Sequence, residues 1–293
     1  MKLTYVLAVV CMCTMVACSK GLAEVEEEMS PSAQDSREII FSTGMTVGKV
    51  EPWKDGFESR SKSRVPLESC ATVIHYYDRM NGEVVNETKQ STSGVFRERL
   101  LFGDHELRFL AHNDDSEAPD PSGSFFSPKK VTDTFLCNKA LTVGSSTSMN
   151  QVIKMERVVG KVSVVIRDAI PEGVRGLRMT LGSHCGKLDM SQGKGAADEL
   201  KEFKIEWNMP ESLVGKTNQT ATVFTFVPTD ELLTTVKIEA LDEGGRTLFE
   251  RTAAEVPVQV NRCTTANCNL FSKDETFSFE IAEDWIPGVT IEM

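Results

Sequence analysis

From about residue 38 onward, apolar and polar positions alternate in short runs separated by turn residues, the signature of half-buried strands. Ile39-Ile40-Phe41 opens the first run. Residues 71–77 are rich in β-branched and aromatic side chains and lead into Asn81-Gly82, a pair that tolerates positive φ at both central positions of a type I′ hairpin turn. Glu83-Val84-Val85 resumes the strand, and Leu107, Phe109 and Ala111 alternate toward one face of the next. The Pro/Ser/Gly-rich stretch 114–124 reads as a loop, and Phe135-Leu136 and Leu141-Thr142-Val143 close the first half.

After a small polar linker over 145–150 the pattern starts again, with Val162, Val164 and Ile166 alternating. Pro171-Glu172-Gly173 turns the chain into Leu177, Met179 and Leu181. Residues 196–202 have helical composition but room for only a turn or short helix. Phe203, Ile205 and Trp207 alternate, residues 221–227 end at Pro228, and Val236, Ile238 and Ala240 run into the hairpin turn 242–246. Residues 256–260 and Phe277, Phe279 and Ile281 form the last clear strands. The halves match in order of elements, so the chain is expected to be all-β, with two tandem antiparallel β-sandwiches over 38–150 and 151–293. Such folds leave sheet edges open, and an open edge is a template for another chain's strand.

Composition agrees with this division. The 293 residues fit two domains at ~150 residues each, and 40% hydrophobic content supplies ordinary cores. The net charge of −11 argues against a nucleic-acid partner, which needs a basic face to meet phosphates.

Residues 1–17 are an address. Lys2 gives a positive start, and the apolar stretch 3–16 is shorter than the ~20 residues that span a bilayer as a helix. It ends in Met15-Val16-Ala17-Cys18, which resembles the lipobox of bacterial lipoproteins, with Met in place of the usual Leu. Residues 1–17 are then a lipoprotein signal peptide and Cys18 is the lipidated first residue, its acyl chains anchoring the protein in a membrane. An ordinary signal peptide cut near Ala17 is the other reading. Residues 18–37 carry Glu24 and Glu26-Glu27-Glu28 with almost no aromatic or β-branched content, so they are expected to be a flexible acidic tether.

The remaining cysteines, Cys70, Cys137, Cys185, Cys263 and Cys268, are odd in number and cannot all pair internally. Cys263 and Cys268 are a candidate local disulfide, with free thiols as the alternative; a zinc site would need two more ligands. His75, His105 and His112 lie in strand-like or turn contexts and His184 adjoins Cys185. There is no HExxH, GxSxG, Walker loop or GxGxxG, and the acidic loop 114–120 lacks the spacing of an EF-hand. The expectation is therefore no catalytic residue, no metal and no cofactor.

Taken in order, the lipobox and its spacer, the hairpin YYDRMNGE, the strand LLFGDHELRFLAHN, the stretch MERVVGKVSVVIRDAIPEGVRGLRM and the closing FSFEIAEDW resemble Bacteroidales fimbrillin-type fimbrial proteins, the FimB/Mfa-type anchor group and minor subunits among them. The resemblance covers most of residues 18–285. It implies two tandem transthyretin-like β-sandwiches, export as a lipoprotein to the outer membrane, and docking of fimbrial subunits by β-strand complementation. In stalk-forming members it implies removal of the lipidated segment and first strand by an arginine-specific protease, for which Arg37, Arg60 and Arg64 are the candidate cleavage sites. The tail after Ile281 contains Pro287 and Gly288 and makes a poor donor strand, which favours a lipid-anchored accessory subunit in the fimbrium over a polymerising stalk pilin. The competing reading is a surface glycan-binding lipoprotein using exposed aromatics such as Trp53 or Trp207. Trp285 reads as a core plug. No host or glycan ligand is specified by the sequence.

Overall fold

The computed structural model describes residues 35–45, 71–91, 95–114, 116–272 and 277–282. The first sheet is built from β1 (Ser36–Met45), β2 (Val73–Met80), β3 (Glu83–Ser91), β4 (Val95–Leu101), β5 (Gly103–His112), β7 (Phe135–Val143) and β8 (Asn150–Arg157). The second is built from β9 (Val159–Ile166), β10 (Gly176–Cys185), β13 (Leu200–Asn208), β14 (Gln219–Phe226), β15 (Leu232–Leu241), β16 (Thr247–Val258), β17 (Cys263–Cys268) and β18 (Phe277–Ala282). Between them lies a small sheet of β6 (Phe125–Phe126), β11 (Leu188–Asp189) and β12 (Lys194–Gly195). The protein is all-β, and the 196–202 stretch contributes a 3-10 turn over Ala197–Glu199 and the start of β13.

The turn chemistry acts where expected. Asn81 and Gly82 have φ of 52° and 83° and join β2 to β3. The Asp242 N–H donates to the Arg246 carbonyl at 2.9 Å, and Gly245 (φ 76°) closes the β15–β16 hairpin.

Each large sheet folds over itself. The first runs β3-β2-β5-β7-β8-β1-β4, but β7 and β8 share only two register pairs, Phe135 with Arg157 and Leu136 with Glu156. The sheet bends there, and Phe41 of β1 and Phe96 of β4 pack on Phe109 of β5 at centroid distances of 5.5 and 5.8 Å. The layer β8-β1-β4 therefore covers the layer β3-β2-β5-β7, enclosing Ile39, Ile74, Tyr76, Leu107 and Ile153. In the second sheet β10 pairs with β13 along its length, with a bulge between Leu181 and His184, pairs with β15 over Gly176–Leu181, and meets β14 only through Cys185 and Phe226. The layers β13-β10-β15-β16 and β14-β9-β17-β18 enclose Val162, Val164, Ile166, Leu177, Met179 and Ile238. Each such side chain contributes about 1.5–3 kcal/mol on full burial.

A third core, with Tyr77, Leu110, Phe126 and Leu136 on one side and Cys185, Leu188 and Phe226 on the other, joins the two sheets. Residues 151–157, which the alternation groups with the second half, hydrogen-bond within the first sheet as β8. Ser36 and Arg37 of the expected tether are already part of β1.

Candidate functional site

The two sheets repeat one topology. β1 pairs antiparallel with β4 and parallel with β8. β9 pairs antiparallel with β14 and parallel with β17. The facing layers correspond strand for strand, β3-β2-β5-β7 to β13-β10-β15-β16. One strand has no counterpart among the described residues: β18 lies antiparallel on the outer edge of β17, pairing Cys263 with Ala282 through Cys268 with Phe277.

The equivalent edge is that of β8. Its ladder to β7 stops after Leu136 and Glu156, and among the described residues no strand continues it. Side chains bridge the seam instead. Lys139 Nζ of β7 donates to Gln151 Oε1 at 2.8 Å and to the Val152 carbonyl at 3.4 Å. Ile153 and Met155 point into the core, so the alternation turns Val152 outward, where it is 68% exposed. Met149, just before the strand, is also exposed. A backbone edge flanked by exposed apolar side chains is chemically suited to accept a strand.

A second seam, between β3 and β4, is closed by side chains alone. Glu98 accepts from Asn86 Nδ2 at 2.8 Å and from Thr88 Oγ1 at 3.1 Å. Neither β4 nor β8 stands out as a strand from alternation alone, although Ile153 and Met155 carry the period-2 signal for β8.

Of the residues singled out from sequence, Cys18, Cys70, Arg60, Arg64, Trp53 and Trp285 lie outside the described residues. Arg37 is held in β1 opposite Leu100, and its guanidinium donates to the Ser145 carbonyl. The candidate disulfide does not form. Cys263 and Cys268 are free thiols at opposite ends of β17. Five residue steps of strand separate them by about 17 Å, and an odd spacing points them to opposite faces, whereas a disulfide needs Cα atoms ~4.4–6.8 Å apart. Cys137 and Cys185 are also free. Trp207 packs against the second core instead of forming an exposed platform.

Three of the histidines, His75, His105 and His112, are structural. His105 Nδ1 lies 2.7 Å from Asp78 Oδ1, its Nε2 donates to the Leu101 carbonyl at 2.8 Å, and both side chains are buried. Burial raises the Asp78 carboxyl above its ordinary range, with His105 opposing. His75 and His112 stack at 5.2 Å in the interior. Among the described residues no three His, Cys, Asp or Glu side chains converge to hold a metal, and no helix is long and apolar enough to cross a membrane.

Comparison with known proteins places the sequence. A family described as a family of unknown function (DUF6562) matches residues 122–290. The chain belongs to that family. No curated protein sequence matches it. Among solved structures, a candidate cell adhesion protein from Bacteroides ovatus is 13% identical with a TM-score of 0.52, over 86% of this chain and 99% of that one. A candidate adhesin from Bacteroides thetaiotaomicron is 7% identical with a TM-score of 0.50, over 84% and 95%. The fimbrial anchor protein Mfa2 from Porphyromonas gingivalis is 12% identical with a TM-score of 0.49, over 86% and 98%. This member of DUF6562 thus shares the fold of the two Bacteroides proteins along nearly their whole length.

Proposed function

We propose that this protein is a non-enzymatic outer-membrane lipoprotein of a fimbrial system, an anchor or minor subunit that docks a neighbouring subunit by strand addition. Cys18 carries the lipid, residues from Cys18 onward form the tether, and two tandem sandwiches present the docking edge. The observation that carries the reading is the asymmetry of the repeat. β17 has its outer edge covered by β18, while its counterpart β8 has no such strand among the described residues. A partner strand on Asn150–Met155 would do for the first sandwich what β18 does for the second. Main-chain hydrogen bonds would supply affinity and alternating side chains the register. The shared fold with two candidate adhesion proteins supports a cell-surface role. The non-enzymatic part is supported by Asp78 and His105, which spend their hydrogen bonds on each other and on the Leu101 carbonyl in the interior.

One observation favours a second reading, the proteolytically matured stalk pilin. β1 is the central strand of the layer β8-β1-β4, and Arg60 and Arg64 follow it in the chain. Cleavage there would free the strand that carries Ile39 and Phe41. Intact-mass measurement of the native protein from the outer membrane separates the two. Residues 18–293 plus acyl chains support the anchor. A mass beginning after Arg37, Arg60 or Arg64, without acyl chains, replaces it with the stalk subunit.

A further inference from the structure

On the flank of the second sheet, remote in function from the strand edges, a cavity of about 360 Å³ opens between the loop after β6, the end of β10 and β13. Its rim holds three lysines, Lys129, Lys187 and Lys201, against two carboxylates, Glu199 at 3.6 Å from Lys187 and Glu117 at 3.5 Å from the exposed Lys129. In a chain of net charge −11 this is a local concentration of positive charge. Lys201 has no ion pair among the described residues. Pro128 and Phe203 add apolar wall.

The floor is His184, only 3% exposed. Its ring stacks on Phe203 at 4.3 Å. Nε2 lies 3.2 Å from the Phe224 carbonyl, which can only accept, so Nε2 carries the hydrogen and Nδ1 is a bare lone pair. Burial, with Lys201 adding to it, lowers the imidazole pKa to about 4, and the ring is neutral at pH 7. Nδ1 is buried with no hydrogen-bond partner. A buried acceptor left unmade is costly, so its position at a cavity floor is informative. Gly186 leaves that edge of the ring without a side chain over it: a Cβ there would stand 3.6 Å from Cε1 and 3.9 Å from Nδ1.

The cavity therefore asks for two things at once, an anion for the lysines and a donor for Nδ1. A carboxylate or sulfate alone supplies the first and leaves Nδ1 unmet. A neutral sugar supplies a hydroxyl and leaves the lysines unmet. A sugar ring bearing a carboxylate supplies both within one residue. We propose that this cavity binds an acidic sugar of a glycan, with its carboxylate against Lys129 and Lys201 and a ring hydroxyl donating to His184 Nδ1. A neighbouring opening of about 370 Å³ shares Lys187, adds Phe125 to its wall and gives room for an adjoining sugar. There Lys187 Nζ sits 4.4 Å over the half-exposed Phe125 ring.

The test is titration of the full chain with glucuronic acid, glucose and acetate, followed by calorimetry or ligand-observed NMR. Glucuronic acid is expected to bind about tenfold or more tightly than either comparator, since each lacks one of the two interactions. Gly186→Ala is expected to weaken glucuronic acid by about tenfold through loss of the Nδ1 bond, with an unchanged unfolding midpoint, because the new Cβ meets only ordinary contacts. Lys201→Gln, on the exposed rim, is expected to weaken glucuronic acid and leave glucose unchanged. Acetate binding as tightly as glucuronic acid would reduce the cavity to a plain anion site and overturn the proposal. So would glucuronic acid binding that both variants leave intact, or no binding at about 10 mM, where even millimolar affinity would register.

Discussion

Arg157 holds Asp133 in a bidentate ion pair at the joint between the two sheets, Nε donating to Oδ1 at 2.7 Å and Nη2 to Oδ2 at 3.0 Å. Arg157 is the last residue of β8, and its Nη1 donates to Asn261 Oδ1 at 2.9 Å in the turn before β17. The guanidinium also lies 5.0 Å from the Phe135 ring centroid. Burial pushes the Asp133 carboxyl up, and Arg157 pulls it back. One buried side chain thus ties the end of the first sheet to the second.

Removing one partner of a buried pair strands the other charge. Arg157→Met is expected to cost about 3–5 kcal/mol in urea unfolding, and Asp133→Leu added to it is expected to recover much of that loss. A single-variant cost below about 1 kcal/mol would mean the pair is solvated and not a fastening.

Acid should weaken the fold through three histidines. Burial, the largest cause in each, lowers His75 to about 4, His112 to about 3 and His184 to about 4 from an ordinary 6.5. Depressed values mean the unfolded chain binds protons first. The stability is whole above about pH 6.5 and is lost as pH falls through the folded values, at up to ~1.4 kcal/mol per pH unit per histidine. His112→Phe is expected to keep the packing on Phe126 and remove about one proton from the slope between pH 6 and 4. An unchanged slope in that variant would remove His112 from this account.

Legibility follows from how many faces of a strand are covered. Leu107, Phe109 and Ala111, and Val162, Val164 and Ile166, were readable because each set fills one core. Tyr77, Leu110 and Leu136 were not, because they point to the opposite face and are buried only by the second sheet. A period of two assigns faces and is silent about what lies over each. β4 escaped notice because Glu98 stands between Phe96 and Leu100 on the inward side, its charge met by Asn86 and Thr88 across the seam. Cys263 and Cys268 suggested a local disulfide because spacing alone does not reveal that the residues between them are extended. The β8 edge needed the repeat comparison, which depends on pairing partners far apart in sequence.

Lipidation has a direct readout. Cys18→Ala is expected to abolish acyl labelling and move the protein from the membrane to the soluble fraction. Unchanged fractionation would remove the lipid anchor from the proposal while leaving the docking edge untouched.

A photo-crosslinker in place of Val152 should report on the docking edge. In intact cells it is expected to yield one adduct with the mass of a fimbrial subunit, and the same probe at Val85 on β3, also exposed, is expected to yield none. Equal adducts at both positions would point to surface collision and not to strand addition at β8.

Gly160 tests the packing that positions that edge. It lies near the start of β9, opposite Thr225 of β14, where the chain leaves β8 and enters the second sheet. A Cβ there would fall 2.5 Å from Val258 Cγ1 and 2.8 Å from the Gln259 carbonyl oxygen, closer than real contacts allow. Val258 is fully buried, and the Gln259 backbone leads into the turn that holds Asn261 against Arg157. Neither neighbour is the loose end of a flexible chain, so the strain has to move backbone. Gly160→Ala is expected to destabilise by about 1–3 kcal/mol. Gly173→Ala, at φ 87° with open space around its Cβ, provides a contrast in which the cost is backbone strain alone. In a double-mutant cycle with Arg157→Met, Gly160→Ala is expected to be non-additive because both act on the β16–β17 turn, whereas Gly173→Ala is expected to add. Additivity for both would show that the turn accommodates the new Cβ without disturbing the Arg157 contact.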